Sequence, residues 1–352
     1  IQNHPLILGD EGALTLVRIG ANLRGKYQCG DRCVLQPAVD HPPINYRERY
    51  RDSARGIEKV AVGYTLPGHL AEYLLIPEEV IQAGCVLSLP GDGLPSAHAA
   101  MSEPLSCIIS SQDHHLHLIQ DDPLSPRRAV NGLREGGTTL IVGAGAMGRM
   151  HIDLALNYRP RTLVAADLLS SRLQLVKKYF AERAERAGTL LYTVNPETES
   201  LEDTVAAITD HRGADDVIVA AGSRSAIESA QYLVGRRGNL NLFGGLKKGE
   251  DVIGLDTGIV HYKETVVTGS SGGSPWDVRR TLELMAASQI TPDFHISCVG
   301  DLEHAPRLLE MVKNQQLGGK AVIYPRRRTD EIRTVEKWTT EDEQDYLTNT
   351  GA

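Results

Sequence analysis

The sequence is poor in the features of secreted, membrane-embedded and nucleic-acid-binding proteins. Its five cysteines are odd in number and lack paired spacing, so no disulfide framework is expected and a reducing cytoplasm is indicated. No apolar run reaches the roughly 18 residues that a membrane helix needs, and no signal peptide opens the sequence. The net charge of −8 argues against a general affinity for nucleic-acid phosphates.

The composition is that of an ordinary globular protein. Hydrophobic residues make up 41% of the 352 residues, which is enough for two domains with cores of their own. The first residue is isoleucine, and an apolar strand is expected almost at once, at Pro5–Leu8. We therefore expect part of the first domain to precede the sequence.

A strand, a glycine-rich turn, a helix and a second strand follow one another near residue 140. The apolar run Leu140–Val142 ends in residues 143–148, which read GAGAMG. Apolar residues then recur at helical spacing until Pro160, and a second apolar run, Thr162–Ala166, ends in Asp167. An acid about 20 residues beyond the last glycine completes the fingerprint of a dinucleotide-binding site.

Each glycine of this turn has an expected role. Gly143 permits the tight turn, Gly145 lets the backbone approach a pyrophosphate, and Gly148 lets the helix pack against the sheet. The free N–H groups at the start of the helix, near Ala146 and Met147, face the phosphate charge.

The remaining cofactor candidates follow strands of the same sheet. Asp167 is expected to accept hydrogen bonds from the ribose of NAD and to repel the extra phosphate of NADP, although NADP use stays open. Arg172 is either a partner of the adenosine ribose or phosphate or a solvated helix residue. Residues at the carboxyl ends of two later strands are expected to line the nicotinamide. They are Ala221, Gly222, Phe243 and Gly244.

Strands and helices alternate after residue 138, which predicts a parallel, doubly wound Rossmann sheet and an α/β fold class. The strand candidates are Leu140–Val142, Thr162–Ala166, Leu190–Val194, Val217–Ala221, Asn239–Phe243 and Thr265–Thr268. Helices are expected between them, for example over Ser171–Arg186 and Arg224–Val234. The earlier part of the chain is predicted to be β-rich. Its strand candidates are Pro5–Leu8, Ala13–Ile19, Arg32–Gln36, Leu70–Ile76 and Val80–Leu87.

This order of elements predicts two domains and a tail. Residues 1–106 form the β-rich domain, and residues 107–272 form the dinucleotide-binding domain with an insertion near residues 113–134. Residues 273–325 return to the first domain, and residues 326–352 form a charged tail with mobile parts.

Four short motifs carry a resemblance to a known family. Residues 5–12, PLILGDEG, resemble P-x-x-x-G-H-E, and residues 30–34, GDRCV, resemble G-D-R-V. Residues 102–107, SEPLSC, resemble E-P-L-[SA], and residues 319–323, GKAVI, resemble G-K-V-V-I. The chain is similar to the zinc-type medium-chain dehydrogenases, in the polyol and sugar-phosphate branch that includes sorbitol dehydrogenase.

The resemblance extends to about Pro325 and carries several expectations. It implies a GroES-like catalytic domain, NAD(P)-dependent interconversion of a secondary alcohol of a polyol or sugar phosphate and the ketone, and a homo-oligomer, a dimer or tetramer. It also implies that Lys320 reaches the pyrophosphate from the catalytic domain. The insertion after Glu103 and residues 269–273, GSSGG, resemble the L-sorbose-1-phosphate reductases in particular.

Two departures from the family bear on its metals. Asp10 stands where the family's G-H-E motif has histidine, and a cysteine ligand that the family places before this motif is not in the sequence. Residues 34–84 contain no cysteine, so no structural zinc is expected. Asp10, Glu11 and Glu103 are the candidate catalytic residues and zinc ligands, but three carboxylates without histidine or thiolate suit harder metals better than zinc. Zinc and ordinary hydrogen-bonding acids both stay open for them.

Histidines and arginines offer weaker candidates. His114, His115 and His117 are spaced like a metal cluster, but we expect a polar loop there because no cysteine is near. His69 is expected to be a hydrogen-bonded structural residue rather than a relay. Four loop arginines match phosphate geometry, and a solvated loop is the favoured interpretation. They are Arg47, Arg49, Arg51 and Arg55.

Three hypotheses about function follow. The first is a nicotinamide-dependent oxidoreductase acting on a polyol or sugar phosphate. The second is a zinc-free quinone- or enone-type reductase of the same fold, for which Asp10 in place of histidine is the reason. The third is an NAD(P)-binding protein without turnover, for which the charged tail and the altered metal motif are the reasons.

Overall fold

The computed structural model of the protein describes residues 5–45, 60–91 and 93–348. The chain divides into two compact units. The first comprises residues 1–107 and 272–352, and the second comprises residues 108–271. The four loop arginines of the sequence analysis, Arg47, Arg49, Arg51 and Arg55, lie outside the described residues.

The first unit opens with a small antiparallel sheet. Its strands are β1 (Ala13–Thr15), β2 (Arg32–Leu35) and β3 (Val86–Ser88), with β2 in the centre. Three helices accompany the sheet in the sequence. They are α1 (Glu78–Gln82), α2 (Ser96–Ala100) and α3 (Ser102–Asp113).

The strand expected over Val80–Leu87 was wrong in its first half. Helix α1 occupies that half, because Pro77 starts it and two glutamates lie in its first turn, where acids favour a helix N-terminus. Gly84, with φ of +77°, lies just beyond the helix, and β3 begins two residues later. Pro5–Leu8 and Leu70–Ile76 are not strands either, although Leu70 donates its N–H to the carbonyl of Leu8 at 2.9 Å.

The second unit contains the predicted doubly wound sheet. Its six parallel strands are β6 (Thr138–Val142), β7 (Thr162–Ala166), β8 (Leu190–Val194), β9 (Ala214–Val219), β10 (Val234–Leu242) and β11 (Val266–Gly269), in the order β11-β10-β9-β6-β7-β8. An antiparallel pair, β4 (Leu116–Ile119) and β5 (Arg128–Asn131), precedes them. The connecting helices are α4 (Ala146–Ala155), α5 (Ser170–Ala187), α6 (Leu201–Ile208), α7 (Arg224–Ala230) and α8 (Thr257–Tyr262).

Both faces of this sheet are covered by apolar packing. Leu140 and Val217 belong to one buried cluster, whereas their neighbours Ile141 and Ile218 belong to another. Successive residues of a strand point to opposite faces, so continuous apolar runs are what a sheet buried on both sides requires. The strands predicted from those runs and the doubly wound fold are confirmed.

The chain then returns to the first unit. Its last elements are α9 (Pro275–Ala286), β12 (Ile296–Gly300), α10 (Ala305–Lys313), β13 (Lys320–Ile323), β14 (Arg333–Thr334) and α11 (Thr340–Thr348). Strand β12 lies between β13 and β14. The segment expected as a charged tail therefore carries a strand and a helix, and it buries Trp338 completely. Within the described residues, no helix combines the length and the apolar character that crossing a bilayer requires.

Candidate functional site

The glycine turn after β6 has a geometry that only glycine satisfies at two positions. Gly143 has φ of +100°, and a Cβ there would lie 3.0 Å from the backbone nitrogen of Ala221. A Cβ on Gly148 would lie 1.8 Å from the carbonyl oxygen of Gly143, so α4 packs directly against the turn. A Cβ on Gly145 would meet nothing closer than Arg172 at 3.8 Å. The turn is thus closely packed at Gly143 and Gly148 and open beside Gly145, where a pyrophosphate needs space to approach the backbone.

Asp167 lies beside this turn, directly after β7. Its carboxylate accepts hydrogen bonds from the N–H groups of Ala144 at 2.8 Å and Leu169 at 2.9 Å. Arg172 donates to the same carboxylate at 3.3 Å. Asp167 therefore ties the glycine turn to the end of β7, and Arg172 is its side-chain partner.

The ends of β9 and β10 approach each other closely. A Cβ on Gly244 would lie 2.6 Å from the carbonyl carbon of Ala221, and one on Gly222 would lie 2.9 Å from the oxygen of Gly245. The ring of Phe243 packs edge-on against His151, with 4.5 Å between ring centroids. These residues meet through their backbones, while the Phe243 ring belongs to the packing of the sheet.

The polar loop expected at His114, His115 and His117 was wrong for two of the three histidines. Only His114 is exposed, because His115 and His117 flank the start of β4 and are buried against β9. His115 Nδ1 lies 2.6 Å and His117 Nε2 lies 2.9 Å from the same oxygen of Asp216. Burial acts to raise the pKa of Asp216, but the hydrogen bonds of the two histidines outweigh it and lower the pKa to about 2. The histidines serve a buried carboxylate whose position on β9 the spacing of His114–His117 did not reveal.

In the first unit, Glu11 is paired with Lys320 at the start of β13. The two side chains form an ion pair and a hydrogen bond. Burial opposes the charge of Lys320, but the negative charge of Glu11 prevails and raises the lysine's pKa. The resemblance assigned Lys320 to a pyrophosphate, and the partner that the structure shows is Glu11.

Glu103 is the buried member of an acid cluster formed by Asp10, Glu11 and Glu103 with their partners Tyr64 and Lys320. It lies in the first turn of α3 and is 8% exposed. Burial, followed by the charges of Glu11 and Asp10, raises its pKa to about 8. The thiol of Cys107, one turn further along α3, lies 3.6 Å from its carboxyl oxygen. Glu103 therefore holds a proton at neutral pH, so it is a potential donor as well as an acceptor.

Asp10 is bound by Tyr64, whose hydroxyl donates to it at 3.1 Å. The negative charge of Asp10 raises the pKa of Tyr64 to about 12. His69 packs its ring onto Gly12, where a Cβ would lie 2.2 Å from Nδ1. Burial lowers the pKa of His69 to about 4, so the ring is neutral at pH 7.

Sequence reasoning did not find Tyr64 and Cys107. No motif surrounds Tyr64, and it meets Asp10 only through the fold. The sequence did contain a signal for Cys107, because it follows Glu103 by four positions and that spacing places two side chains on one helix face.

The predicted zinc ligands lack the chemistry that zinc requires. Across residues 5–45, 60–91 and 93–348, no group of three or more His, Cys, Asp and Glu side chains can hold a metal ion. Glu11 is paired with Lys320, and the three acids supply neither the imidazole nor the thiolate that zinc favours. The side chains as placed do not fit a zinc site. The metal assignment of Asp10, Glu11 and Glu103 stays a prediction.

A doubly wound parallel sheet, with a glycine turn after β6 and an acid after β7, defines a Rossmann-type dinucleotide-binding protein. Residues 146–287 match the family model described as zinc-binding dehydrogenase. The mannitol-1-phosphate 5-dehydrogenase of Aliivibrio fischeri is 36% identical over 332 residues, which cover 92% of this chain and 73% of that protein. The chain belongs to the zinc-binding dehydrogenase family, and the resemblance noted in the sequence is confirmed.

Two further relationships agree with this membership. The L-sorbose 1-phosphate reductase of Klebsiella pneumoniae is 28% identical over 295 residues, covering 82% of this chain and 66% of that protein. A solved structure from Sinorhizobium meliloti 1021, described as a zinc-binding dehydrogenase bound to NADP, aligns with a TM-score of 0.71 and 24% identity. That alignment covers 91% of this chain and 84% of the other, and it supports the fold.

Proposed function

We propose that the chain is an NAD(P)-dependent oxidoreductase that interconverts a secondary alcohol of a polyol or sugar phosphate and the corresponding ketone. The observation that carries the substrate class is the 36% identity to a mannitol-1-phosphate 5-dehydrogenase across most of both chains. The L-sorbose 1-phosphate reductase among the relatives acts on the same class of compound.

The cofactor site of this proposal is the glycine turn. Backbone N–H groups of Ala146 and Met147, at the start of α4, would face the pyrophosphate. Asp167, supported by Arg172, would receive the ribose, and its charge favours NAD over NADP. The remaining contacts are assigned to the ends of β9 and β10. They are Ala221, Gly222, Phe243 and Gly244.

The acid cluster is the proposed reaction centre. When bound, the nicotinamide accepts or supplies the hydride. Oxidation of the alcohol also releases the hydroxyl proton, and reduction of the ketone takes one up, so a proton carrier is required. Glu103 carries a proton at neutral pH, and Asp10 and Glu11 complete the cluster. We further propose a cytoplasmic homo-oligomer, a dimer or tetramer, with no nucleic-acid partner.

The test combines binding with turnover. Calorimetry on the purified protein should show saturable binding of NADH, tighter than binding of NADPH. NAD reduction should then depend on mannitol 1-phosphate or a related sugar phosphate. Absence of NAD(P)(H) binding would remove the proposal, and binding without turnover on any polyol or sugar phosphate would favour a cofactor-binding protein without catalysis.

A zinc-free reductase of the quinone or enone type is the second candidate, because no three-ligand metal group lies in the described residues. Elemental analysis separates the two candidates when it is paired with quinone and enone substrates. One zinc per chain, lost in Asp10→Asn, would exclude this second candidate and make Asp10 a ligand. Reduction of an enone by metal-free protein, without turnover of sugar phosphates, would establish it.

A further inference from the structure

The segment after β13 lies beyond the family resemblance, yet it contributes deeply buried side chains to the first unit. Trp338 is fully buried, and Glu343 on α11 is 5% exposed. Removing a carboxylate from water is costly unless donors surround it. The groups that donate hydrogen bonds to Glu343 therefore indicate what this segment does.

Glu343 binds the start of α2. Its two carboxylate oxygens accept the N–H groups of Ser96 at 2.6 Å and Ala97 at 2.8 Å. These are the first two residues of α2, whose N–H groups have no partner within the helix. A negative charge at this end of a helix is stabilising. Glu343 thus fixes where α2 begins.

The position of α2 determines the position of Glu103. Met101 donates its N–H to the carbonyl of His98 at 3.0 Å, and Leu105 donates to the carbonyl of Met101 at 3.1 Å. Helical hydrogen bonding therefore runs from α2 into α3 with no flexible linker. Glu103, in the first turn of α3, moves with the start of α2.

The same segment also fixes the end of β13. Tyr324, the residue after β13, donates its hydroxyl proton to Glu343 at 2.7 Å. The indole N–H of Trp338 donates to that hydroxyl at 3.0 Å, and the carbonyl of Trp338 lies 2.6 Å from His98 Nε2. Strand β13 begins with Lys320, the partner of Glu11. One segment thus contacts α2, which leads into the helix of Glu103, and Tyr324, which follows the strand of Lys320.

We propose that Glu343 and Trp338 are positioning residues for the reaction at the acid cluster, because they join the start of α2 to the end of β13. This inference rests on the proposed function, since it assigns the reaction to that cluster. Neither residue belongs to the glycine turn or to the acid cluster itself.

The test compares Glu343→Gln with Glu341→Gln, an exposed glutamate on the same helix. Small displacements of catalytic groups can lower rates by about 100-fold, so Glu343→Gln should lower kcat for mannitol 1-phosphate at least tenfold. The Kd for NADH should stay within about twofold, because positioning acts on the rate and not on the glycine turn. Hydrogen exchange of residues 96–107, followed by mass spectrometry, should increase in Glu343→Gln and remain unchanged in Glu341→Gln.

The outcomes distinguish failure of the proposed function from failure of the positioning role. Wild-type protein that turns over no polyol or sugar phosphate contradicts the proposed function, whereas the exchange measurement still tests the contact. Equal kcat and equal exchange in Glu343→Gln and Glu341→Gln would overturn the positioning role. If Glu343→Gln fails to fold, Trp338→Phe replaces it: loss of the bond to Tyr324 should lower kcat with NADH binding intact, and an unchanged kcat would contradict the inference.

Discussion

The glycine turn and the acid cluster are assembled in different ways. The turn and Asp167 come from one continuous stretch of 25 residues, positions 143–167, in which N–H groups of the turn bind the carbonyl of Ala166 and the carboxylate of Asp167. The acid cluster joins residues from four distant segments, near positions 10, 64, 103 and 320. A site of the first kind is encoded locally, whereas a site of the second kind depends on the packing of the whole unit.

The largest expected effect comes from a substitution that disrupts the glycine turn. Gly148→Val places side-chain atoms where even a Cβ would meet the oxygen of Gly143 at 1.8 Å, so α4 must move away from the turn. We expect NADH affinity to fall at least 100-fold, as far as calorimetry can detect, because close helix packing sets the phosphate site. Gly20→Ala is the control, since nothing lies within 4 Å of a Cβ there. Unchanged NADH affinity in Gly148→Val would contradict the assigned site.

The buried carboxylate of Asp216 on β9 gives the next largest effect. Asp216→Asn removes the carboxylate that His115 and His117 both contact, and losing a hydrogen bond to a charged group costs about 1.5–3 kcal/mol of unfolding free energy. Asp210→Asn, in an exposed pair with Arg212, should change it by less than about 1 kcal/mol. Urea unfolding at pH 7 measures both.

The pH dependence of stability follows from the same carboxylate. Because its pKa is lowered in the folded state to about 2, its contribution is complete above the unfolded pKa of about 3.9 and is lost as pH falls towards 2. The stability of wild-type protein should therefore decline over that window more steeply than that of Asp216→Asn. Parallel curves for the two proteins would show that the carboxyl group of Asp216 is not ionised as described.

A moderate effect concerns cofactor choice. Asp167→Ser removes the charge that repels a ribose phosphate while Arg172 remains beside the turn. We expect the ratio of NADPH to NADH affinity to rise about tenfold, and we expect NADH binding to weaken because Ser cannot replace both carboxylate contacts. Arg186→Ser, on an exposed part of α5, serves as the control. A constant ratio would show that Asp167 does not select the cofactor.

The last effect lies in the acid cluster and has an unusual sign. The pKa of Glu103 is raised to about 8 in the folded state, so the folded protein loses stability as pH rises from the unfolded pKa of about 4.3 to 8. Glu103→Gln should remove this loss, so its stability relative to wild type should rise by on the order of 3 kcal/mol between pH 5 and pH 8. Thermal unfolding at the two pH values measures the difference, and Glu78→Gln on α1 provides an exposed control.

The difference between local and long-range assembly also explains which features could be predicted from the sequence. Strand β7 was placed at its observed bounds, because an apolar run that is buried on both faces stands out from its surroundings. The bounds of β8 were also matched, although β8 is an edge strand with mostly exposed or half-buried residues. The roles of Glu343 and Tyr64 were not predictable, since their partners lie 247 and 54 positions away. The burial of His115 and His117 was missed for the same reason, because their partner Asp216 lies about 100 residues beyond them.

The most direct test of the account measures Glu103→Gln for turnover and cofactor binding in the same preparation. If the acid cluster is the reaction centre and the glycine turn is a separate, locally built site, kcat for NAD reduction with mannitol 1-phosphate should fall at least 100-fold. The Kd for NADH should remain within about twofold of wild type. Turnover that survives the substitution would contradict the assignment of the reaction to the acid cluster.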